Sequence, residues 1–197
     1  MKNYALIILA AAALFLAACT KTENTENTST STTSTSMTDT SSTTSTTGTS
    51  VSTLSADDKD FAMKAAQGNM AEVNGGTMAS TKGTSPDVKN FGNRMVNDHG
   101  KALDELKQLA QTKGIALPAD VNDEQKAEAD KLSKLSGKDF DKEYTDAMVK
   151  DHEKDVAEFD KASKSAQDPD LKAWAAKVLP IIQDHLKMAK EMRGKGK

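Results

Sequence analysis

Cysteine is nearly absent from the chain: among 197 residues there is one, Cys19. A single cysteine cannot form an intramolecular disulfide, so the folded part must depend on its hydrophobic core. Positive charge is also in short supply, since acidic residues outnumber basic ones and the net charge is −3 at pH 7. This balance disfavours a nucleic-acid partner, which would require a basic surface.

Several motifs of catalysis and of β-structure are also missing from the sequence. No segment alternates apolar and polar residues over the length of a strand. We find no Gly-rich phosphate loop, no Ser–His–Asp arrangement and no second thiol for redox chemistry. Because no nucleophile or acid–base pair can be identified by its spacing, enzymatic activity is an open but unfavoured interpretation.

The N-terminal residues have the pattern of a bacterial lipoprotein signal. Lys2 precedes an apolar run over residues 4–16, and the segment LAAC ends at Cys19. The run is shorter than the roughly 20 residues that a permanent transmembrane helix needs, so residues 1–18 are predicted to be a cleaved signal peptide. Cys19 is then predicted to carry lipid. An ordinary secretory signal with an incidental cysteine is the alternative.

Lipidation would place the protein in the cell envelope, held to a membrane through Cys19. The residue that follows is Thr20, not the Asp that retains many lipoproteins in the inner membrane of enteric-type bacteria. By resemblance to those lipoproteins, the prediction is an outer-membrane anchor with the protein facing the periplasm. Residues 19–54, rich in Ser and Thr and poor in apolar side chains, are predicted to form a disordered tether.

Residues 55–197 are predicted to form one helical domain. Ser55, Ser85-Pro86 and Asp168-Pro169 have the composition of helix starts. The apolar periodicity predicts four long helices and one short helix, over residues 55–80, 86–114, 122–135, 138–166 and from 169 onwards. Gly114 and Gly137 are expected to end the second long helix and the short helix. Short connections favour antiparallel neighbours, so the predicted fold is an all-α, antiparallel, ferritin-like four-helix bundle with the extra short helix between helices 2 and 3.

All three histidines occur in one context, two apolar residues and a polar residue followed by Asp-His. The segments are MVNDH, MVKDH and IIQDH, ending at His99, His152 and His185. Each lies near the middle of a predicted helix on or beside its apolar stripe, so the three imidazoles are predicted to meet. Glu72, on the stripe of the first helix, is the predicted fourth member. Such a group suits one divalent transition metal ion.

The aspartates of the three pairs have a separate predicted role. Neighbouring helical residues point about 100° apart, so each aspartate is expected to accept a hydrogen bond from an imidazole on another helix. These residues are Asp98, Asp151 and Asp184. Two alternatives stay open: a buried Asp–His network that sets helix register and binds nothing, and an exposed placement of the same residues.

Several segments together resemble the bacterial domain of unknown function 4142 family, whose members are often labelled outer membrane proteins and grouped with ferritin-like folds. They are residues 61–72, the two Met-Val-x-Asp-His segments, residues 114–118 and residues 175–185. The resemblance implies a helical bundle and leaves the biochemical role unassigned. The residues three before the histidines are Val96, Val149 and Ile182, so the Glu-x-x-His motif of ferritin-like di-iron sites is missing.

Two function classes therefore remain. The first is a lipid-anchored envelope protein whose bundle binds a metal ion through the Asp-His cluster. The second is a non-catalytic structural or stress-related module that binds an envelope protein partner through its outer helix surfaces.

Overall fold

The computed structural model describes residues 54–195, which form five helices. They are α1 (Ala56–Lys82), α2 (Pro86–Lys113), α3 (Asp123–Ser133), α4 (Gly137–Ser165) and α5 (Pro169–Lys195). The predicted all-helical fold is confirmed, and this part of the chain contains no strand. The predicted signal peptide, Cys19 and nearly all of the tether lie outside the described residues.

Side-chain oxygen atoms accept hydrogen bonds from backbone amides at the starts of α1 and α2. The Ser55 hydroxyl accepts the amide of Asp58 at 3.1 Å at the start of α1. The start of α2 is held by a residue of α4, because the Asp141 carboxylate accepts the backbone amides of Thr84 and Ser85 at 2.9 and 2.8 Å. Capping of this kind satisfies amides that lack a partner within the helix, and here it also joins two helices that are distant in sequence.

Two glycines adopt left-handed backbone geometry. Gly114 has φ 66° and ends α2, as the sequence predicted. Gly137 has φ 63°, but it is the first residue of α4, whereas α3 already ends at Ser133. The prediction that Gly137 ends the short helix is therefore wrong, because the chain turns over residues 134–136 and the glycine then begins the next helix.

The four long helices pack so that each neighbour in the bundle is antiparallel. The hairpins α1–α2 and α4–α5 lie side by side, with α2 against α5 and α1 against α4. Since α2 and α4 run in the same direction, the chain must cross the length of the bundle between them. The crossover contains α3, which packs against α1 and α4 and covers the seam between those helices.

The buried interior consists of two apolar clusters separated by a polar layer. One cluster contains Leu106, Phe159 and Trp174, and the other contains Phe91 and Tyr144. On each of α1, α2, α4 and α5, buried polar side chains lie between the residues assigned to the two clusters: Asn69 and Glu72, His99, His152 and His185. The polar residues of the four helices therefore share one level of the bundle.

The backbones of α1 and α2 approach closely at two glycines. A Cβ added at Gly76 would lie 2.6 Å from the Gly92 carbonyl oxygen, and one added at Gly92 would lie 2.7 Å from the Ala79 Cβ. Only glycine fits this crossing, which draws the first hairpin together just beyond the polar layer. None of the described helices has an apolar stretch long enough to span a membrane.

Candidate metal centre

The three histidines meet in the middle of the bundle, one each from α2, α4 and α5. The ring centroids of His99, His152 and His185 are 5.5, 5.1 and 5.5 Å apart, which is nearly an equilateral triangle. One ring nitrogen of each lies within 4.8 Å of the corresponding nitrogens of the other two. The side chains are 4% exposed at His99 and fully buried at the other two. The predicted convergence of the three imidazoles is thus present in the structure.

His99 is oriented by Asn69 of α1. The Asn69 amide nitrogen donates to the Ala65 carbonyl oxygen at 2.7 Å, which leaves the amide oxygen facing His99 Nδ1 at 3.0 Å. An amide oxygen can only accept, so His99 Nδ1 carries the proton and Nε2 holds the free electron pair. His99 Nε2 is buried without a hydrogen-bond partner.

His152 is oriented by the backbone of its own helix. Its Nδ1 lies 2.9 Å from the Met148 carbonyl oxygen, which is again only an acceptor. His152 therefore has its proton on Nδ1 and a free pair on Nε2, and this nitrogen is also buried and unpartnered.

His185 has the opposite tautomer. Its Nε2 donates to the Asp98 carboxylate of α2 at 2.9 Å, so the free electron pair is on Nδ1, which has no partner. Asp98 is itself held by Arg94 Nε at 3.1 Å. Each imidazole is thus fixed through one nitrogen, and the other nitrogen of each is left unsatisfied in the interior.

Burial keeps all three imidazoles neutral at neutral pH. It places the pKa of His99 well below the ordinary value, an effect to which the nearby imidazoles add. It lowers the pKa of His152 to about 3. Burial also lowers the pKa of His185, although the hydrogen bond to Asp98 opposes the shift. Neutral imidazole is the form that binds metals, so no proton has to be displaced from the free nitrogens.

Glu72 is buried at the same level but does not join the triangle. Its Oε1 lies 3.6 Å from His152 Nδ1, the nitrogen that is already hydrogen-bonded to the Met148 carbonyl oxygen. The group of three donors that the structure brings together does not include Glu72, so its role as a fourth ligand stays a prediction. One helical turn earlier, α1 also presents Asn69, which contacts His99.

The structure brings one of the three aspartates to an imidazole of another helix, Asp98 to His185, and gives the other two different contacts. Asp184 is half exposed and accepts from Arg94 at 2.7 Å. Asp151 lines a cleft between α1, α3 and α4, where it interacts with Glu128. All three aspartates sit one residue before a buried histidine, a position that turns away from the centre of the bundle. Asp98 still meets an imidazole because His185 of the neighbouring helix α5 extends its Nε2 to that carboxylate.

Sequence reasoning missed Asn69 and Arg94. Asn69 falls three residues before Glu72 on the buried face of α1, where a polar side chain among alanines signals a polar contact. Arg94 lies four residues before Asp98, the spacing of a helical ion pair. It also contacts Asp184 and the Met188 sulfur, so it ties α2 to α5 at the level of the site.

Comparison with known proteins assigns the chain to a family. Residues 43–192 match the sequence model of DUF4142, a domain of unknown function. The chain belongs to the DUF4142 family. This confirms the resemblance found in the sequence, and it covers all four helices that surround the imidazoles. No protein with a curated description matches the chain.

The DUF4142 bundle is similar in fold to solved structures of low sequence identity. A DUF305 fragment from Deinococcus radiodurans superposes with a TM-score of 0.65 at 11% identity, covering 73% of this chain and 99% of the fragment. CopM in the Cu(II)-bound form superposes with a TM-score of 0.61 at 17% identity, covering 70% of this chain and 96% of CopM. CopM in the Cu(I)-bound form gives 0.60 at 18% identity, with the same coverage.

The chemistry open to the DUF4142 centre follows from its donor atoms. Three neutral imidazoles suit zinc, copper, nickel and iron(II), and copper(II) binds most strongly in the usual order of divalent ions. Metal–nitrogen bonds of about 2.0–2.1 Å hold tetrahedral donors about 3.3 Å apart. The donor nitrogens, which lie within 4.8 Å of one another, must therefore draw together by up to about 1.5 Å on binding.

Proposed function

We propose that this protein is a lipid-anchored envelope protein whose helical bundle binds one transition metal ion through His99, His152 and His185. The observation that carries the proposal is the three free imidazole electron pairs. Each of the three buried nitrogens lacks a hydrogen-bond partner, while the second nitrogen of each ring is held by an oxygen atom of the protein.

A purely structural polar network would not have this form. Buried polar atoms are nearly always hydrogen-bonded, because an unsatisfied one costs about 1–3 kcal/mol. Three unsatisfied nitrogens on three different helices, in imidazoles that meet in the centre of the bundle, are a costly arrangement for a protein that binds nothing. A bound cation satisfies all three at once.

Copper is the metal we propose to test first. CopM, a protein of similar fold, has been solved in Cu(II)-bound and Cu(I)-bound forms. That likeness concerns the fold, and the proposal of copper for this chain rests on its imidazole donors together with the strong affinity of such donors for copper.

The envelope location is part of the proposal. The predicted signal peptide (residues 1–18) and lipid on Cys19 would place the bundle in the periplasm at the end of the tether, with an outer-membrane anchor. A protein in this position could hold metal ions that have crossed the outer membrane.

Elemental analysis tests the metal-binding proposal. The protein without its signal peptide is incubated with Cu²⁺ or Zn²⁺, desalted, and its metal content and melting temperature are measured before and after chelation. We expect one equivalent of metal and a lower melting temperature after chelation, because a ligand that binds only the native state stabilises it. A metal-free protein with the same melting temperature throughout would contradict the proposal.

The matched control is a double variant, His152→Phe with His185→Phe. It keeps ring-shaped side chains in the core and removes two of the three donors. This variant should bind no stoichiometric metal and should melt at the same temperature with or without chelator. Metal retained by the variant would show that the ion binds elsewhere.

A further inference from the structure

A cleft opens beside the imidazole triangle, between α1, α3 and α4. It has a volume of about 160 Å³ and is lined by acidic side chains from all three helices. These include Glu72 of α1, Glu128 of α3, and Asp151 and Asp155 of α4. Since a water molecule occupies about 30 Å³ of the liquid, the cleft has room for a small hydrated ion.

Glu72 is the buried end of this cleft. The residue is 3% exposed, and its Oε2 has no hydrogen-bond partner although the side chain lines the cleft. Its other oxygen lies 3.6 Å from His152 Nδ1. The carboxyl group therefore stands between the cleft and an imidazole of the triangle, with one oxygen unsatisfied.

The acidic groups of the cleft destabilise one another as anions. Burial, with Glu158 and Asp151, raises the pKa of Asp155 to about 7. A cation in the cleft would relieve this repulsion. The lysines that line it, Lys150 and Lys154, are exposed residues at its edge.

A second, small cavity lies between the acidic cleft and His99 of the imidazole triangle. It has a volume of about 10 Å³, is lined by His99 and Asn69, and shares Gly68 and Asp155 with the acidic cleft. A Cβ added at Gly68 would meet no atom within 4 Å. Asp155 and the open space at Gly68 thus link the cleft to the surroundings of His99.

We propose that the acidic cleft captures a hydrated divalent transition metal ion at Glu72 and Asp155 and delivers it to the three imidazoles. This inference rests on the proposed function. The ion exchanges water and carboxylate oxygen for imidazole nitrogen, with no change of oxidation state. Protons leave any carboxyl group that was neutral before the ion arrived.

A residue that captures the ion on its way in and a residue that ligates the bound ion affect the rates of binding and release differently. A residue that only lowers the barrier along the access route speeds binding and release equally, so removing it slows both and leaves the dissociation constant nearly unchanged. A residue that ligates the bound ion slows release, so removing it speeds release.

The test measures Cu²⁺ binding by stopped-flow absorbance and Cu²⁺ release by excess chelator. The variants are Glu72→Gln and Asp155→Asn. Asp104→Asn is the control, because that carboxylate is exposed on α2, a helix that contributes no residue to the cleft. We expect Glu72→Gln and Asp155→Asn each to lower the binding rate constant about tenfold, within the range that electrostatic attraction contributes to ion encounter. The release rate constant should fall by a similar factor, because the same carboxylates bind the ion transiently as it leaves. Asp104→Asn should match the unaltered protein.

Two results would overturn the capture proposal while leaving the metal centre intact. In the first, the variants bind one copper ion at the same rate as the unaltered protein. In the second, Glu72→Gln releases copper faster than the unaltered protein, which would make Glu72 a ligand of the bound ion. If the unaltered protein binds no copper, both proposals fail together. Circular dichroism of each variant establishes whether it is folded. If Glu72→Gln unfolds, Asp155→Asn provides the test, because Asp155 is less buried.

Discussion

The tautomers of the three histidines depend on three different acceptors: a side-chain amide, a backbone carbonyl and a carboxylate. Asn69 is the one that mutation can remove without adding or removing charge, and its own amide orientation is fixed by the Ala65 carbonyl. Without that acceptor, the His99 ring is free to rotate or to carry its proton on Nε2, the nitrogen needed for metal.

We therefore expect Asn69→Ala to weaken Cu²⁺ binding about 10- to 100-fold, the usual effect of removing a group that orients a metal ligand. Competition titration against a chelator of known affinity measures the change. Asn93→Ala, on an exposed position of α2, is the control and should leave the affinity as it was. Equal affinities for both variants would show that Asn69 does not orient His99.

The buried histidines also make the metal-free protein sensitive to acid. Burial lowers the pKa of His152 to about 3, whereas an unfolded histidine has a pKa of about 6.5. Between these values the unfolded chain binds a proton that the native protein does not, so the free energy of unfolding falls as pH falls.

Urea unfolding in the presence of chelator, at a series of pH values, measures this dependence. The variant His152→Gln should lose less stability than the unaltered protein as pH is lowered from about 6.5 towards 3. Carboxyl groups with raised pKa, such as Asp155, have the opposite effect in both proteins, so the difference isolates His152. Parallel curves would mean that His152 is protonated as readily in the native state as in the unfolded state.

At the scale of secondary structure, the position of the imidazoles depends on how closely α1 and α2 pack. The first hairpin supplies both His99 and its partner Asn69, and the crossing at Gly76 and Gly92 fixes the distance between the two helices. An added methyl group at Gly76 would overlap the backbone of α2, which no side-chain rotation can relieve.

Gly76→Ala should therefore destabilise the protein by about 1–3 kcal/mol, the usual cost of overpacking. Gly68→Ala, on the same helix, has open space and should stabilise by about 0.5–1 kcal/mol through helix propensity. Chemical denaturation of the two variants measures the contrast. If both shift stability in the same direction, close packing at the crossing is not the cause.

Element boundaries were largely predictable because the chain marks them with local signals. Ser-Pro and Asp-Pro pairs begin α2 and α5, and Gly114 ends α2 in the left-handed conformation that it was expected to adopt. Gly137 was misassigned because a left-handed glycine can stand on either side of a short turn, and sequence alone does not say which helix it serves.

At the scale of the whole molecule, the convergence of the histidines could be predicted and the identity of their partners could not. The repeated Asp-His context placed three imidazoles at mid-helix, and the antiparallel bundle brought them to one level. Helix α1 presents both Asn69, 3.0 Å from His99, and Glu72, 3.6 Å from His152. The two lie only about 4.5 Å apart along the helix axis on the same buried face, so apolar periodicity does not show which of them hydrogen-bonds an imidazole.

The predicted lipid anchor at Cys19 determines where the whole molecule is located. Cys19→Ser should release the bundle from the membrane fraction into the soluble periplasmic fraction, because lipid on this residue is the proposed attachment. Cell fractionation and immunoblotting measure the distribution, and Ser29→Ala in the tether is a matched control that should stay with the membrane. A Cys19→Ser protein that remained membrane-bound would contradict lipid anchoring.

The most direct test of the metal centre is electron paramagnetic resonance of the protein loaded with one equivalent of Cu²⁺. Ligation by His99, His152 and His185 predicts hyperfine splitting from three imidazole nitrogens, which loses one nitrogen when any single histidine is replaced by phenylalanine. A copper spectrum with oxygen ligands only, or one that the histidine variants leave unchanged, would contradict the three-imidazole metal centre.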